Sequence, residues 1–353
     1  MFKTLKEISA IDKRVLVRCD FNVPLDARGN IADDFRIKQA VPTIKYLVEQ
    51  RARIIVMSHL DPESTGVADR KYTMEKVAER LSELLGMPIE TATDCIGPDI
   101  ESQSQRLESG KILLLENLRF YKEETDGDAD FAKKLSYLGE AFVNEAFSVC
   151  HREHASIAVL PTLLPGYAGF LLEKEIINLD KVLQNPEKPM TAIVGGKKVE
   201  TKSKFIDRIS EVADFVIVSG LIKKEVQDKN IAFKYPEKII GPDTELEALD
   251  INQDAIEKFR DKILQSKTIL WNGPFGKFED KKYSVGTRAI ADAIIESGAY
   301  SVVGGGETVE FLQKQSIIQK FSHVSTGGGA MMAYLSGESL PGLTALDDDS
   351  LNY

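Results

Sequence analysis

The stretch RVLVRCDFNVPL, residues 14–25, begins as an apolar run broken by Arg18 and turns polar at Asp20 and Asn22. A run without strict alternation reads as a strand covered on both faces. Charge gathered just past its end reads as a ligand site, because ligands in open α/β sheets bind beyond the carboxyl ends of strands. Working outward, the same unit recurs at 53–58, 111–116 and 141–144, then at 191–195, 214–219, 267–272 and 300–304, with a shorter run at 321–325. Segments 36–50, 72–85 and 128–139 space their apolar residues three to four apart, as helices packed on a sheet do. The rhythm predicts an α/β protein of two lobes, each a doubly wound, mostly parallel sheet with helices on both faces.

A chain of 353 residues exceeds what one core usually organises. The natural break is the helix-like segment 171–184, followed by NPEKP at 185–189, whose prolines stop any helix. The expected division is a first lobe over 1–170, with the tail 338–353 returning to it, a hinge helix and linker over 171–188, and a second lobe over 189–337.

Hydrophobic residues at 43% and charged residues at 28% are ordinary for a globular chain. A net charge of -10 argues against nucleic acid or an anionic membrane as the main partner. Cys19, Cys95 and Cys150 show no CxxC spacing, the opening MFKTLKEISA lacks a signal-peptide core, and the apolar stretch 157–172 is interrupted by Pro161, Pro165 and Gly166. A cytoplasmic, reducing location is expected.

After its strands the first half collects Asp20, Asn22, Arg36, His59, Arg119, His151 and Arg152, a set suited to a small anion, since arginine forks match carboxylate and phosphate geometry. The second half offers Gly195-Gly196, Gly304-Gly305-Gly306 and Gly327-Gly328-Gly329 ahead of helices, where backbone amides can meet a polyphosphate. There is no GxxxxGK[ST] loop, no HRD or DFG set, no GxGxxG after the first strand and no GxSxG elbow. Cys150, His151 and His154 lack a convincing fourth metal ligand.

Taken together these loops resemble phosphoglycerate kinase. The matching segments are RVLVRCDFNVPL, DDFRIKQAVPTIKYL, MSHL, LLLENLRFYKEE, AFSVCHREHAS, PGYAGFLLEKE, AIVGGKKVETK, LWNGPFGKFE, VVGGGET and HVSTGGGA, in family order along the chain. The resemblance implies a phosphotransferase with a carboxyl acceptor, moving a phosphoryl group between 1,3-bisphosphoglycerate and Mg-ADP to give 3-phosphoglycerate and ATP. It implies that Asp20, Asn22, Arg36, His59, Arg119 and Arg152 hold phosphoglycerate. It places Gly195, Gly196, Lys198, Lys202, Gly220, Asn272, Glu279, Gly304, Gly305, Gly306, Glu307 and Thr308 around the nucleotide. Arg36, Lys198, Gly305 and Gly328 would surround the migrating phosphoryl, Glu307 would meet magnesium, and a monomer closing about a hinge would do the work. A second reading is a family member that binds nucleotide or phosphoglycerate without turnover, and a third is a kinase acting on another acyl phosphate.

Four departures stand out. Ser58-His59-Leu60-Asp61-Pro62 replaces the family's SHLGRP, removing an arginine and adding an acid. Glu307 stands where the family has Asp, and Lys197 where it has Ala. The span between Ser219 and Trp271 is short, which predicts a thinned base pocket and poor discrimination between adenine and guanine.

Overall fold

The computed structural model describes residues 2–61, 65–196 and 202–347. The chain forms two compact units, Met1–Glu175 with Ser339–Tyr353, and Ile176–Glu338. The helix Phe170–Gln184 runs from one into the other.

The first unit is built on β1 (Arg14–Cys19), β2 (Arg53–Met57), β3 (Glu90–Thr91), β4 (Ile112–Leu114), β5 (Ala141–Glu145) and β6 (Gly166–Ala168), ordered β3-β4-β2-β1-β5-β6 with every pair parallel. Val17 of the central strand lies between Val56 and Val143 in register. Helices cover both faces, so Val15, Leu16 and Val17 are all buried, which is why the strand reads as a continuous apolar run. The helix Phe35–Glu49 buries Ile37, Ala40, Ile44 and Leu47 on one face, three or four residues apart. That packing aims Arg36, in its first turn, at the end of β1.

The second unit repeats the plan with β7 (Met190–Val194), β8 (Phe215–Val218), β9 (Ile239–Ile240), β10 (Thr268–Asn272), β11 (Tyr300–Gly304) and β12 (His323–Val324), again all parallel, in the order β12-β11-β10-β7-β8-β9. Trp271 and Phe259 anchor its core. The fold is the one the sequence rhythm predicts. What it adds are the short strands β3, β6 and β9, which close the sheet edges with two or three residues each. No helix among the described residues is long and apolar enough to cross a membrane.

Candidate active site

In the first unit the polar residues converge because parallel strands present all their carboxyl ends on one edge of the sheet. Asp20, just past β1, accepts from Nη1 of Arg36 at 2.6 Å, from the Asn22 amide at 2.9 Å and from the Ser148 hydroxyl. Burial alone would raise the Asp20 carboxyl, but Arg36, His59, Ser148 and the Asn22 amide outweigh it and hold the group at about 2. Asp20 is therefore a carboxylate across the physiological range, and it orients Arg36.

His59, past β2, is buried, and Nη2 of Arg18 lies 3.2 Å from its Nδ1. Burial pushes His59 well below its usual range, against the pull of Asp20 and with the help of Arg18, Arg119 and Arg36. Arg119 follows β4 in a turn fixed by Asn117, whose side chain accepts from the Arg119 amide at 3.0 Å. Its Nε donates to Asp61 at 3.1 Å, while its buried Nη1 has no hydrogen-bond partner among the described residues. Asp61 also takes Nδ2 of Asn22 at 2.6 Å, and its amide donates to Oδ1 of Asn22 at 3.0 Å. Asp20, Asn22, Arg36, His59 and Arg119 thus form one cluster. Arg152 is exposed beyond β5 and is not part of that cluster; its charge helps, after burial and the charges of Arg119 and Arg18, to depress the neighbouring His154 to about 3.

In the second unit a cavity of about 600 Å³ opens beyond the ends of β7, β8 and β10. Gly196, Lys202, Gly220, Glu279 and Glu307 line it, joined by Phe275 and Phe278. Burial lowers Lys202 to about 8, partly offset by Glu307, and its Nζ donates to the Gly195 carbonyl. Lys198 lies outside the described residues. Residues 245–251 contribute a further wall, including Leu246 and Ile251. This loop, inside the span read as short, is held by Asp250 accepting from the Gly286 amide at 3.0 Å.

Two glycine-headed helices, Gly306–Lys314 and Gly328–Leu335, start beside each other. A methyl group added at Gly328 would lie 2.7 Å from Cα of Gly305, so only glycine permits the approach. Gly305 has φ of +96°, a conformation side chains resist. Among the described residues no side chain caps the starts of Gly306–Lys314 and Gly328–Leu335, as none caps Ser203–Val212 or Val285–Ser297, whereas Asn252 accepts from the Ala255 amide at 3.0 Å at the start of Gln253–Gln265. Next to the two glycine-headed starts the Nδ2 of buried Asn272 lacks a hydrogen-bond partner among the described residues. Thr308 is wholly buried and its hydroxyl accepts from the Gly273 amide at 2.9 Å, which places it in the support of the loop. Gly195 and Gly304 are close-packed in the same support, since a methyl group added at either would collide with the Pro274 carbonyl or the Met331 side chain.

A family model described as phosphoglycerate kinase matches residues 5–230 and 222–338. The chain belongs to the phosphoglycerate kinase family. A phosphoglycerate kinase from Coprothermobacter proteolyticus is 38% identical over 387 aligned positions, covering 98% of both chains, and a chloroplastic one from Volvox carteri is 40% identical, covering 95% of this chain and 83% of that one. The solved phosphoglycerate kinase of Pyrococcus horikoshii superposes with a TM-score of 0.86 at 31% identity and 98% coverage of each chain. That of Coxiella burnetii gives 0.83 at 30%, covering 98% of this chain and 99% of its own. The 387 aligned positions exceed the chain's 353 residues, so the alignment opens gaps in this chain. The two stretches of the family match meet at 222–230, inside the span read as short.

Sequence reasoning overlooked Arg18, Ser148, Ser156 and Glu124, which brace the cluster from below. The available signal was Arg18 itself, a charge inside an otherwise apolar strand.

Proposed function

We propose that this family member catalyses reversible phosphoryl transfer between 1,3-bisphosphoglycerate and ADP. The observation that carries the reading is the meeting of two uncapped helix N-termini at Gly305 and Gly328 beside the unpartnered Asn272 amide, a ready seat for a transferring phosphoryl group. Phosphoglycerate would sit among Asp20, Asn22, Arg36, His59, Arg119 and Arg152. The nucleotide would fill the second unit's cavity, its phosphates at Lys198, Lys202, Gly196 and Gly304–Gly306, its ribose near Glu279 and its base against Gly220 and the 245–251 loop.

The reaction breaks the bond between phosphorus and the acyl oxygen of 1,3-bisphosphoglycerate and forms one to a terminal phosphate oxygen of ADP. The leaving group departs as a carboxylate and the attacking oxygen is already anionic, so no protein base is needed. Catalysis is positioning and charge stabilisation, the part assigned to Arg36, Lys198 and the amides at Gly305 and Gly328. The ligands are held by different units, so turnover includes a step that brings them into line, with the helix Phe170–Gln184 as hinge.

Glu307 lines the cavity in the first turn of its helix. Magnesium would arrive on the nucleotide, with Glu307 as the carboxylate to meet it, since that ion keeps waters and needs one or two carboxylates plus phosphates. Bound there it would neutralise phosphate charge. The protein would act as a cytoplasmic monomer without nucleic-acid or membrane partners, in line with its net charge of -10 and its three free, buried cysteines.

Asp61 favours one alternative, a binding protein without turnover, because it sets an anion in the phosphoglycerate cluster. Phosphorus NMR of 3-phosphoglycerate, Mg-ATP and purified protein, with hydroxylamine present to trap the acyl group and release its phosphate, decides: ADP and inorganic phosphate that grow only when 3-phosphoglycerate is present support the proposal, and their absence contradicts it. Acetate and aspartate in place of 3-phosphoglycerate test for another acyl acceptor.

A further inference from the structure

Arg18 lies wholly buried on β1 and meets four partners. Its Nε donates to Ser156 Oγ at 2.8 Å, its Nη1 donates to the Cys19 carbonyl, and its Nη2 lies 3.7 Å from Glu124 Oε1 and 3.2 Å from Nδ1 of His59. A guanidinium has donors only and stays charged in proteins. The contact with His59 is therefore a hydrogen bond only if Nδ1 offers a lone pair.

The rest of the network fixes Arg18 in turn. Ser156 Oγ accepts from Arg18, so its own proton goes to Glu124 Oε1 at 2.6 Å, while the Ser156 amide donates to the other Glu124 oxygen at 2.9 Å. Glu124 is wholly buried. Rotating any one group would strand a buried charge or donor.

We propose that Arg18 is a positioning residue that locks His59 as a neutral imidazole protonated on Nε2, so that a substrate anion meets a fixed hydrogen-bond donor and never an imidazolium. The lock is a property of the cluster; its use in phosphoglycerate binding rests on the function proposed above. Protonating Nδ1 would set an N–H against the Arg18 N–H and bring two cations together where water does not reach. Among the described residues the charges facing His59 are Arg18 from β1, Asp20 beyond it, Arg36 from the helix Phe35–Glu49, Asp61 from its own loop, Arg119 from the turn at 118–120, and Glu124 behind Arg18. Burial depresses His59 most and three of the cations add to it; Asp20 opposes them but is itself paired with Arg36. Nε2 is 3.9 Å from Asp61, outside hydrogen-bond range, so its proton stays available to a ligand.

The test needs no variant in its first arm. Nitrogen NMR of the histidine rings, with His59 assigned by His59→Gln, is expected to show a pyridine-type Nδ1 and a pyrrole-type Nε2 unchanged from about pH 5 to about pH 8. A proton on Nδ1, or an imidazolium in that window, overturns the proposal. The second arm compares Arg18→Met with wild type in KM for 3-phosphoglycerate. The substrate's own titration cancels in the ratio, which is expected to fall about threefold or more between pH 8 and pH 5 as the freed imidazole charges; a ratio independent of pH overturns the positioning role. If the wild type does not turn over 3-phosphoglycerate, the functional reading fails while the ring-nitrogen signals still decide the tautomer.

Discussion

Asp61 accepts a hydrogen bond from Nε of Arg119 at 3.1 Å, and its second oxygen takes Nδ2 of Asn22 at 2.6 Å, so an anion of the chain itself engages two groups assigned to phosphoglycerate. The side chain is 56% exposed, which screens the pair and limits its worth. Asp61→Asn is expected to tighten 3-phosphoglycerate binding about threefold to tenfold, or about 1 kcal/mol. Calorimetric titration reads this directly. Unchanged or weaker binding would make Asp61 a bystander or a ligand of the substrate.

Gly328 and Gly306 separate packing from ligand contact. Gly328→Ala would drive a methyl group to 2.7 Å from Cα of Gly305 and part the two helix starts, whereas a methyl group at Gly306 meets nothing within 4 Å. Gly328→Ala is expected to lower kcat about a hundredfold, as loss of preorganised amide donors does, and to lower Tm. Gly306→Ala should leave Tm unchanged, so any loss of nucleotide affinity in it reports a side chain facing the phosphates. Equal melting points for both variants would contradict the close approach.

Lys202 titrates at about 8 against an ordinary 10.5 because burial disfavours its charge. Between those values the unfolded chain binds the extra proton, so stability rises with pH through the window by up to about 1.4 kcal/mol per unit crossed, and below the lower value the cost is fully present. Lys202→Met should abolish that slope in urea unfolding. Phosphates beside the ammonium raise its pKa, so Mg-ADP binding near pH 8 should take up protons, seen by calorimetry in buffers of different ionisation enthalpy. Proton release on binding would contradict the placement.

Glu145 bears on the connecting helix. Its carboxyl is buried, is pushed up to about 8, and accepts from the Leu171 amide at 3.1 Å in the first turn of Phe170–Gln184. Here the sign reverses. From about 4.5 to about 8 the unfolded carboxyl is ionised while the folded one keeps its proton, so stability falls as pH rises. Glu145→Gln should match wild type near pH 5 and melt higher at pH 9. A wild-type Tm that rises over this interval relative to the variant would refute it.

The fold was legible where burial was complete. β1, β2, β5, β7, β10 and β11 carry apolar runs because helices cover both faces, and their ends were placed within a residue or two. β3, with exposed Glu90 and Thr91, and β9 carry no such signal, since an edge strand of two residues buries too little to shape its sequence. The candidate site was readable as a set of strand-end loops. Its couplings were not: nothing in the spacing of Asp61, Asn22 and Arg119 shows that one carboxylate spans both partners, and the 245–251 wall depends on Asp250 reaching the start of the helix Val285–Ser297.

The most direct test of the central claim is the steady-state rate at which purified protein converts 3-phosphoglycerate and Mg-ATP to 1,3-bisphosphoglycerate, followed by coupled reduction of the product. The wild type is expected to turn over, with Lys198→Ala and Arg36→Ala each lowering kcat about a hundredfold to a thousandfold, more than they weaken ground-state binding, as the role proposed for both groups at the transferring phosphoryl requires. Turnover no higher than that of Lys198→Ala, or variants that change only KM, would contradict the account.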